Sequence, residues 1–155
     1  MQNEKDEQLK HYMDSVCIKK EENDDFRHGV IDAFCEIVRA GVKRIAFSQA
    51  TNNLESFAKD LKHAHACAKK YNIFYYIEED LFETCLFKNS GRYVIIFYSN
   101  KQDIDDYLKL KEEIKTNKTP TLDQRKAYGK ELGRLLSYSQ ERIDAMINTN
   151  LHNSL

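Results

Sequence analysis

Residues 42–77 read VKRIAFSQATNNLESFAKDLKHAHACAKKYNIFYYI, and this stretch decides the fold class. Val42–Phe47 is a short apolar run with mixed faces, suited to a strand. Ile73–Ile77 is aromatic and β-branched throughout, the composition of a largely buried strand. Between them Asn52 and Glu55 stand at the spacing of a capping box and open a helix reaching about Lys70. A strand–helix–strand order with a connection of about 25 residues suits a parallel βαβ unit, which is right-handed almost without exception.

Upstream, Asn23-Asp24-Asp25 offers cap acceptors and negative charge to an earlier helix. Its apolar face is Phe26, Val30, Phe34, Ile37 and Val38, and Gly41 fits a left-handed cap at its end. Downstream, Thr84–Lys88 and Arg92–Tyr98 flank Asn89-Ser90-Gly91, a hairpin pattern. Arg92–Tyr98 is the most apolar strand and is expected at the sheet centre. From Ser99 onward the periodicity is helical. Ser99 with Gln102 caps one helix, Thr119-Pro120 opens the next, Ser137-Tyr138-Ser139 breaks it, and Ile143, Met146 and Ile147 mark a last one.

The expected architecture is one compact domain of mixed α+β character over residues 23–148. It has a mixed sheet of about four strands, containing a parallel βαβ unit and a hairpin. Helices stand before, between and after the strands, and the chain closes in a helical hairpin. Residues 1–22 are expected to form an acidic amphipathic helix or arm, with Leu9, Tyr12, Met13, Val16 and Cys17 at helical spacing. Residues 149–155 are expected to fray.

Composition narrows the function classes. The 155 residues include only five glycines and one proline, which argues against turn-dense barrels and glycine-built phosphate loops. A net charge of -1 removes the simplest case for nucleic-acid binding. That balance conceals -4 over residues 1–25 against +3 over the remainder. No apolar run is long enough to span a bilayer, and the first ten residues lack the apolar core of a secretory signal. Cys17, Cys35, Cys67 and Cys85 are too far apart for C-x-x-C motifs and too few for a disulfide scaffold, the pattern of reduced thiols in a cytoplasmic protein. That compartment is the producing cell's or, as a lesser reading, a host cell's.

Several residue groups carry potential chemistry. In a parallel βαβ unit, both strand C-termini and the N-terminus of the intervening helix share one edge. That edge would gather Ser48, Gln49, Thr51 and Asn52 beside Glu78, Glu79 and Asp80. Ser48, Thr51, Asn52 and Glu78 are the candidate ligand-binding residues, and Glu79 and Asp80 the candidate catalytic carboxylates. His63, His65 and Cys67 form the conspicuous histidine–cysteine cluster. Taking Leu54, Phe57, Ala58 and Leu61 as the apolar stripe turns His65 inward and leaves His63 and Cys67 on the solvent side, so no metal site is expected there. No cofactor is expected either. Arg125, Lys126, Lys130 and Arg134 give one helix a basic side that Asp123 and Glu131 interrupt, a solvated face rather than a nucleic-acid surface. Gly129 and Gly133, one turn apart, mark a close helix crossing, against the last helix of the same chain or in a dimer seam.

The resulting expectation is a non-enzymatic protein-interaction or regulatory module, a single domain with a protein partner or self-association as a homodimer and no membrane contact. The acidic N-terminal helix and the C-terminal helical hairpin are its expected contact surfaces. The alternative is a small enzyme or a small-ligand or anion binder using the edge formed by Ser48–Asn52 and Glu78–Asp80.

Overall fold

Val94, Ile95, Ile96 and Phe97 are four consecutive side chains with no exposed surface, so both faces of their strand must be covered. The structure, a computed structural model, describes residues 24–88 and 91–152. Within them the element order is α1 (Asp24–Arg39), β1 (Ile45–Phe47), α2 (Leu54–Tyr71), β2 (Phe74–Glu78), β3 (Val94–Tyr98), α3 (Lys101–Thr116), α4 (Leu122–Leu135) and α5 (Gln140–His152). The segment expected at 1–22 lies outside the described residues, as do 153–155. The remainder of the tail expected to fray, residues 149–152, is instead the last turn of α5, where Asn150 bonds to the Cys85 and Leu86 carbonyls.

The sheet order is β1-β3-β2, and β3 is antiparallel to both neighbours. This corrects the expected parallel βαβ unit and the four-stranded mixed sheet. β1 and β2 do run in the same direction with α2 between them in sequence, but β3 is inserted between the two. The reason lies in β3 itself. A strand whose two faces are both apolar gains most from the central position, and in three strands that leaves no contact between β1 and β2.

Alternation along β3 divides the interior into two halves. Ile95 and Phe97 join Ala46, Ile31, Cys35, Val38, Phe57, Ala64 and Cys67 beneath α1 and α2. Val94 and Ile96 join Ile45, Tyr107, Leu110, Leu132, Leu135, Ile143 and Ile147 beneath α3, α4 and α5. The mixed α+β class is as expected from the sequence.

Thr84–Lys88 is not a strand. Leu81, Phe82, Cys85 and Leu86 are all buried in the α3–α5 half, a spacing that strand alternation cannot satisfy. Side chains take the backbone bonds that a ladder would have used. Thr84 Oγ1 accepts from Leu86 N at 3.1 Å, and Asn150 Nδ2 donates to the carbonyls of Cys85 and Leu86 at 3.0 and 2.7 Å. The connection from β2 to β3 is therefore a packed loop, tied at its base by Leu81 N donating to Arg92 O at 3.2 Å.

The helix caps fall one or two residues from their expected places. Asn53 caps α2, Asn100 caps α3, and Thr121 forms a full capping box with Gln124 on α4. Gly41, at φ +75°, ends α1 as expected. The two glycines of α4 face their own chain. A Cβ on Gly133 would stand 2.6 Å from Ile143 Cγ1, and one on Gly129 would meet Ile147 Cδ1 at 3.3 Å and Leu86 N at 3.4 Å. The close crossing is thus with α5 and the packed loop, and no room remains there for a dimer seam.

Candidate functional site

The C-terminal ends of β1 and β2 and the N-terminal end of β3 do share one edge of the sheet. Ser48 is buried beside β3, where its amide donates to Ile95 O at 2.8 Å and its hydroxyl accepts from Ile95 N at 2.9 Å. Thr51 exchanges two backbone bonds with Tyr93, and its hydroxyl accepts from Asn53 N at 3.0 Å. Asn52 is exposed. Glu78 lies on the far side of β3 and is buried against α3. Its carboxylate accepts from Tyr107 Oη at 2.7 Å and from Lys111 Nζ at 2.7 Å, and it also takes Asp80 N at 3.0 Å. Burial, and then the Glu78 carboxylate, drive the Tyr107 phenol far above its ordinary range, so it stays a donor.

Ser48, Thr51 and Glu78 therefore occupy one edge, with β3 between the first two and the third. Their polar atoms are committed within the fold, those of Ser48 and Thr51 to holding the segment after β1 and those of Glu78 chiefly to α3. Glu79 and Asp80 point to solvent, with Lys115 Nζ 3.9 Å from Asp80. Beside Ser48 an open pocket of about 310 Å3 is lined by Phe34, Phe47, Gln49, Phe87 and Tyr138. Lys43 stands at its wall, donating to Leu136 O at 2.7 Å and lying 4.7 Å over the Tyr138 ring. Burial lowers the pKa of this amine.

The histidine–cysteine cluster is oriented the opposite way from the sequence expectation. Cys67 is buried, His63 is partly buried and His65 is exposed. The buried stripe of α2 is Phe57, Asp60, Ala64, Cys67 and Ala68, whereas Leu54 is 63% exposed. A buried ion pair sets this rotation. Arg27 of α1 and Asp60 are each 1% exposed, and Arg27 Nε donates to both carboxylate oxygens at 3.2 and 3.0 Å. Once Asp60 faces inward, the helical repeat brings Ala64 and Cys67 in after it.

Around that pair a polar seam runs between α1 and α2. The His28 and His63 rings stack at 4.4 Å, and His28 Nε2 lies 3.7 Å from Asp60 Oδ1. Cys67 Sγ is 3.4 Å from His63 Nε2 and donates to Asp32 Oδ1 at 3.5 Å. Burial first, and then the Asp32 contact, push the Cys67 thiol up to about 11; burial pushes Cys35 up to about 12. A cysteine beside a histidine has the outline of a nucleophilic pair, but a thiol held this high is a weak nucleophile. No group of three or more histidine, cysteine or acidic side chains suited to a metal ion occurs among the described residues.

The basic set on α4 is also mixed with acids. Arg134 pairs with Glu131 at 3.4 Å, and the groove between α3 and α4, about 530 Å3, alternates Asp106, Lys109, Glu113, Lys130 and Arg134. No described helix is long and apolar enough to cross a membrane.

What the sequence reading missed is the outer edge of β2. Tyr93 pairs with Thr51, and Ile95 with Ser48, so the odd residues of β3 turn their backbone groups toward β1. The even ones, Val94, Ile96 and Tyr98, turn theirs toward Glu78, Tyr76 and Phe74. The N–H and C=O groups of Tyr75 and Ile77 consequently point away from the sheet, where no described strand meets them. Phe74 is 58% and Ile77 37% exposed.

Family models, curated proteins and solved structures give no match to this chain.

The β2 edge is the feature that most needs a partner. Edge strands of soluble proteins are commonly blunted by charge, proline or a bulge, and Phe74–Ile77 has none of these. A signal was present in the sequence. Lys69 and Lys70 precede the strand and Glu78, Glu79 and Asp80 end it, so an apolar run is framed by opposite charges.

Proposed function

We propose that this protein is a non-enzymatic interaction module that accepts a β-strand along the outer edge of β2. The observation carrying this reading is the exposed, uncharged Phe74–Ile77 edge, with the backbone groups of Tyr75 and Ile77 directed outward. Main-chain bonds to an added strand supply affinity, and the exposed Phe74 and Ile77 side chains supply contact area. The polar residues at the strand ends fit the same reading, because their bonds serve the fold. The C-terminal helices play a supporting part: their glycines and Leu132, Leu135, Ile143 and Ile147 pack within the chain.

Cross-linking through Lys69 tests it. Cross-links from Lys69 to a partner strand should disappear in the Ile77→Pro variant, which removes an outward donor and leaves the β3 ladder intact. Cross-links that persist at full yield in a folded Ile77→Pro protein would refute the edge as the contact element.

The ligand-binding alternative has one observation behind it, the aromatic pocket beside Ser48 with Lys43 at its wall. A small apolar anion would suit that lining. A thermal-shift screen of such compounds on wild type and Lys43→Ala tests this reading, which requires stabilisation that the variant loses.

A further inference from the structure

We infer that the strand received by the β2 edge is β2 of a second copy of this chain, paired antiparallel about a twofold axis through Tyr76. This rests on the reading of β2 as a strand-accepting edge and names its occupant. Backbone geometry fits such a pairing. With the axis at Tyr76, Tyr75 of each copy faces Ile77 of the other, and these are the two residues whose N–H and C=O groups point outward. The two pairs exchange four main-chain hydrogen bonds and join two three-stranded sheets into one of six. Tyr76 then meets its symmetry mate at a non-hydrogen-bonded position, where side chains approach most closely and aromatic pairs add stability.

Charge decides between a second copy and a foreign strand. Lys69 lines the same shallow groove as Ile73 and Phe74 at the start of β2, while Glu79 follows its last residue. Both are exposed, and neither makes an ion pair within the described chain. In an antiparallel pair the basic end of one copy falls beside the acidic end of the other, and the twofold makes this contact twice. A parallel pairing would set like charges together at both ends. The edge is thus complementary to itself.

Sedimentation velocity of the full chain across a concentration series tests the inference. Wild type should pass from monomer to dimer as concentration rises, and Ile77→Pro should remain a monomer. Glu79→Lys and Lys69→Glu should each weaken association about tenfold, and the two together should restore it. These two exposed positions keep the test valid if the proline variant does not fold. A wild type that is monomeric at every concentration overturns self-pairing alone, leaving the edge reading to the cross-linking result. A dimer indifferent to all the variants overturns both, because its contact then lies elsewhere.

Discussion

Three helical glycines should respond to alanine with three different outcomes, and the space around each sets the sign. An alanine in a helix interior is better than glycine by roughly 0.5–1 kcal/mol. At Gly29 no described atom outside its own stretch of helix stands within 4 Å of the added Cβ, so this gain should appear undiminished; nothing among the described residues explains glycine there. At Gly129 the nearest atoms are 3.3 Å (Ile147 Cδ1) and 3.4 Å (Leu86 N) away. The first is the free end of a side chain and the second is backbone, so gain and strain should nearly cancel. At Gly133 the Cβ would stand 2.6 and 2.8 Å from Cγ1 and Cδ1 of Ile143, a branched residue with no exposed surface. Overpacking of this kind costs about 1–3 kcal/mol, and the stiff neighbour places it in the upper part of that range. Net destabilisation should be about 1–2 kcal/mol, or a fall of roughly 3–8 °C in Tm for a domain of this size. Urea unfolding followed by circular dichroism measures all three. The expected order is Gly29→Ala above wild type, Gly129→Ala beside it and Gly133→Ala below. A Gly133→Ala protein as stable as Gly29→Ala would refute the close crossing of α4 and α5.

Other consequences can be checked in the same way. Asp60→Ala should cost about 3–5 kcal/mol, because it removes the carboxylate that Arg27 Nε contacts in the buried pair, whereas Arg27→Met with Asp60→Leu, which removes both of these charges, should be less destabilised. Chemical denaturation of the single and double variants decides this. With pKa values of about 12 and 11, Cys35 and Cys67 should resist iodoacetamide at pH 8 in the folded protein and react readily in urea, as read by mass spectrometry. Asp32 is held below the ordinary aspartate range chiefly by the Lys70 hydrogen bond, and Asp106 by those of Gln102 and Arg44. Their contribution is complete above the unfolded value, about pH 4, and is lost as pH falls through the lowered folded values. The urea midpoint should therefore drop on acidification, and by less in Asp32→Asn.

The sequence made some of this fold legible and concealed the rest for identifiable reasons. Periodicity located every described helix, and the central place of β3 followed from its unbroken apolar run. The same reading placed β1 and β2 side by side, because the length of a crossover fixes strand direction but not what lies between the strands. Thr84–Lys88 resembled a hairpin arm because its turn residues were apt. Its backbone partners, Asn150 above all, lie too far along the chain for a local pattern to reveal. The stripe of Leu54, Phe57, Ala58 and Leu61 misplaces the rotation of α2, because apolar spacing carries no sign of the buried arginine on another helix that turns Asp60 inward. At the strand ends, the strand–helix–strand order predicted which groups gather on one edge, because β1 and β2 run the same way even with β3 between them. It could not predict that Tyr107 and Lys111, from a helix beyond β3, would take up Glu78.

The most direct test of the account is residue-resolved amide exchange across β2 at low and high protein concentration. In dilute solution the Tyr76 amide, bonded to β3, should exchange slowly, while those of Tyr75 and Ile77 exchange fast. At high concentration Tyr75 and Ile77 should become protected as a second β2 pairs with them. Protection at Tyr75 and Ile77 that does not change with concentration would contradict the pairing of β2 with its own copy.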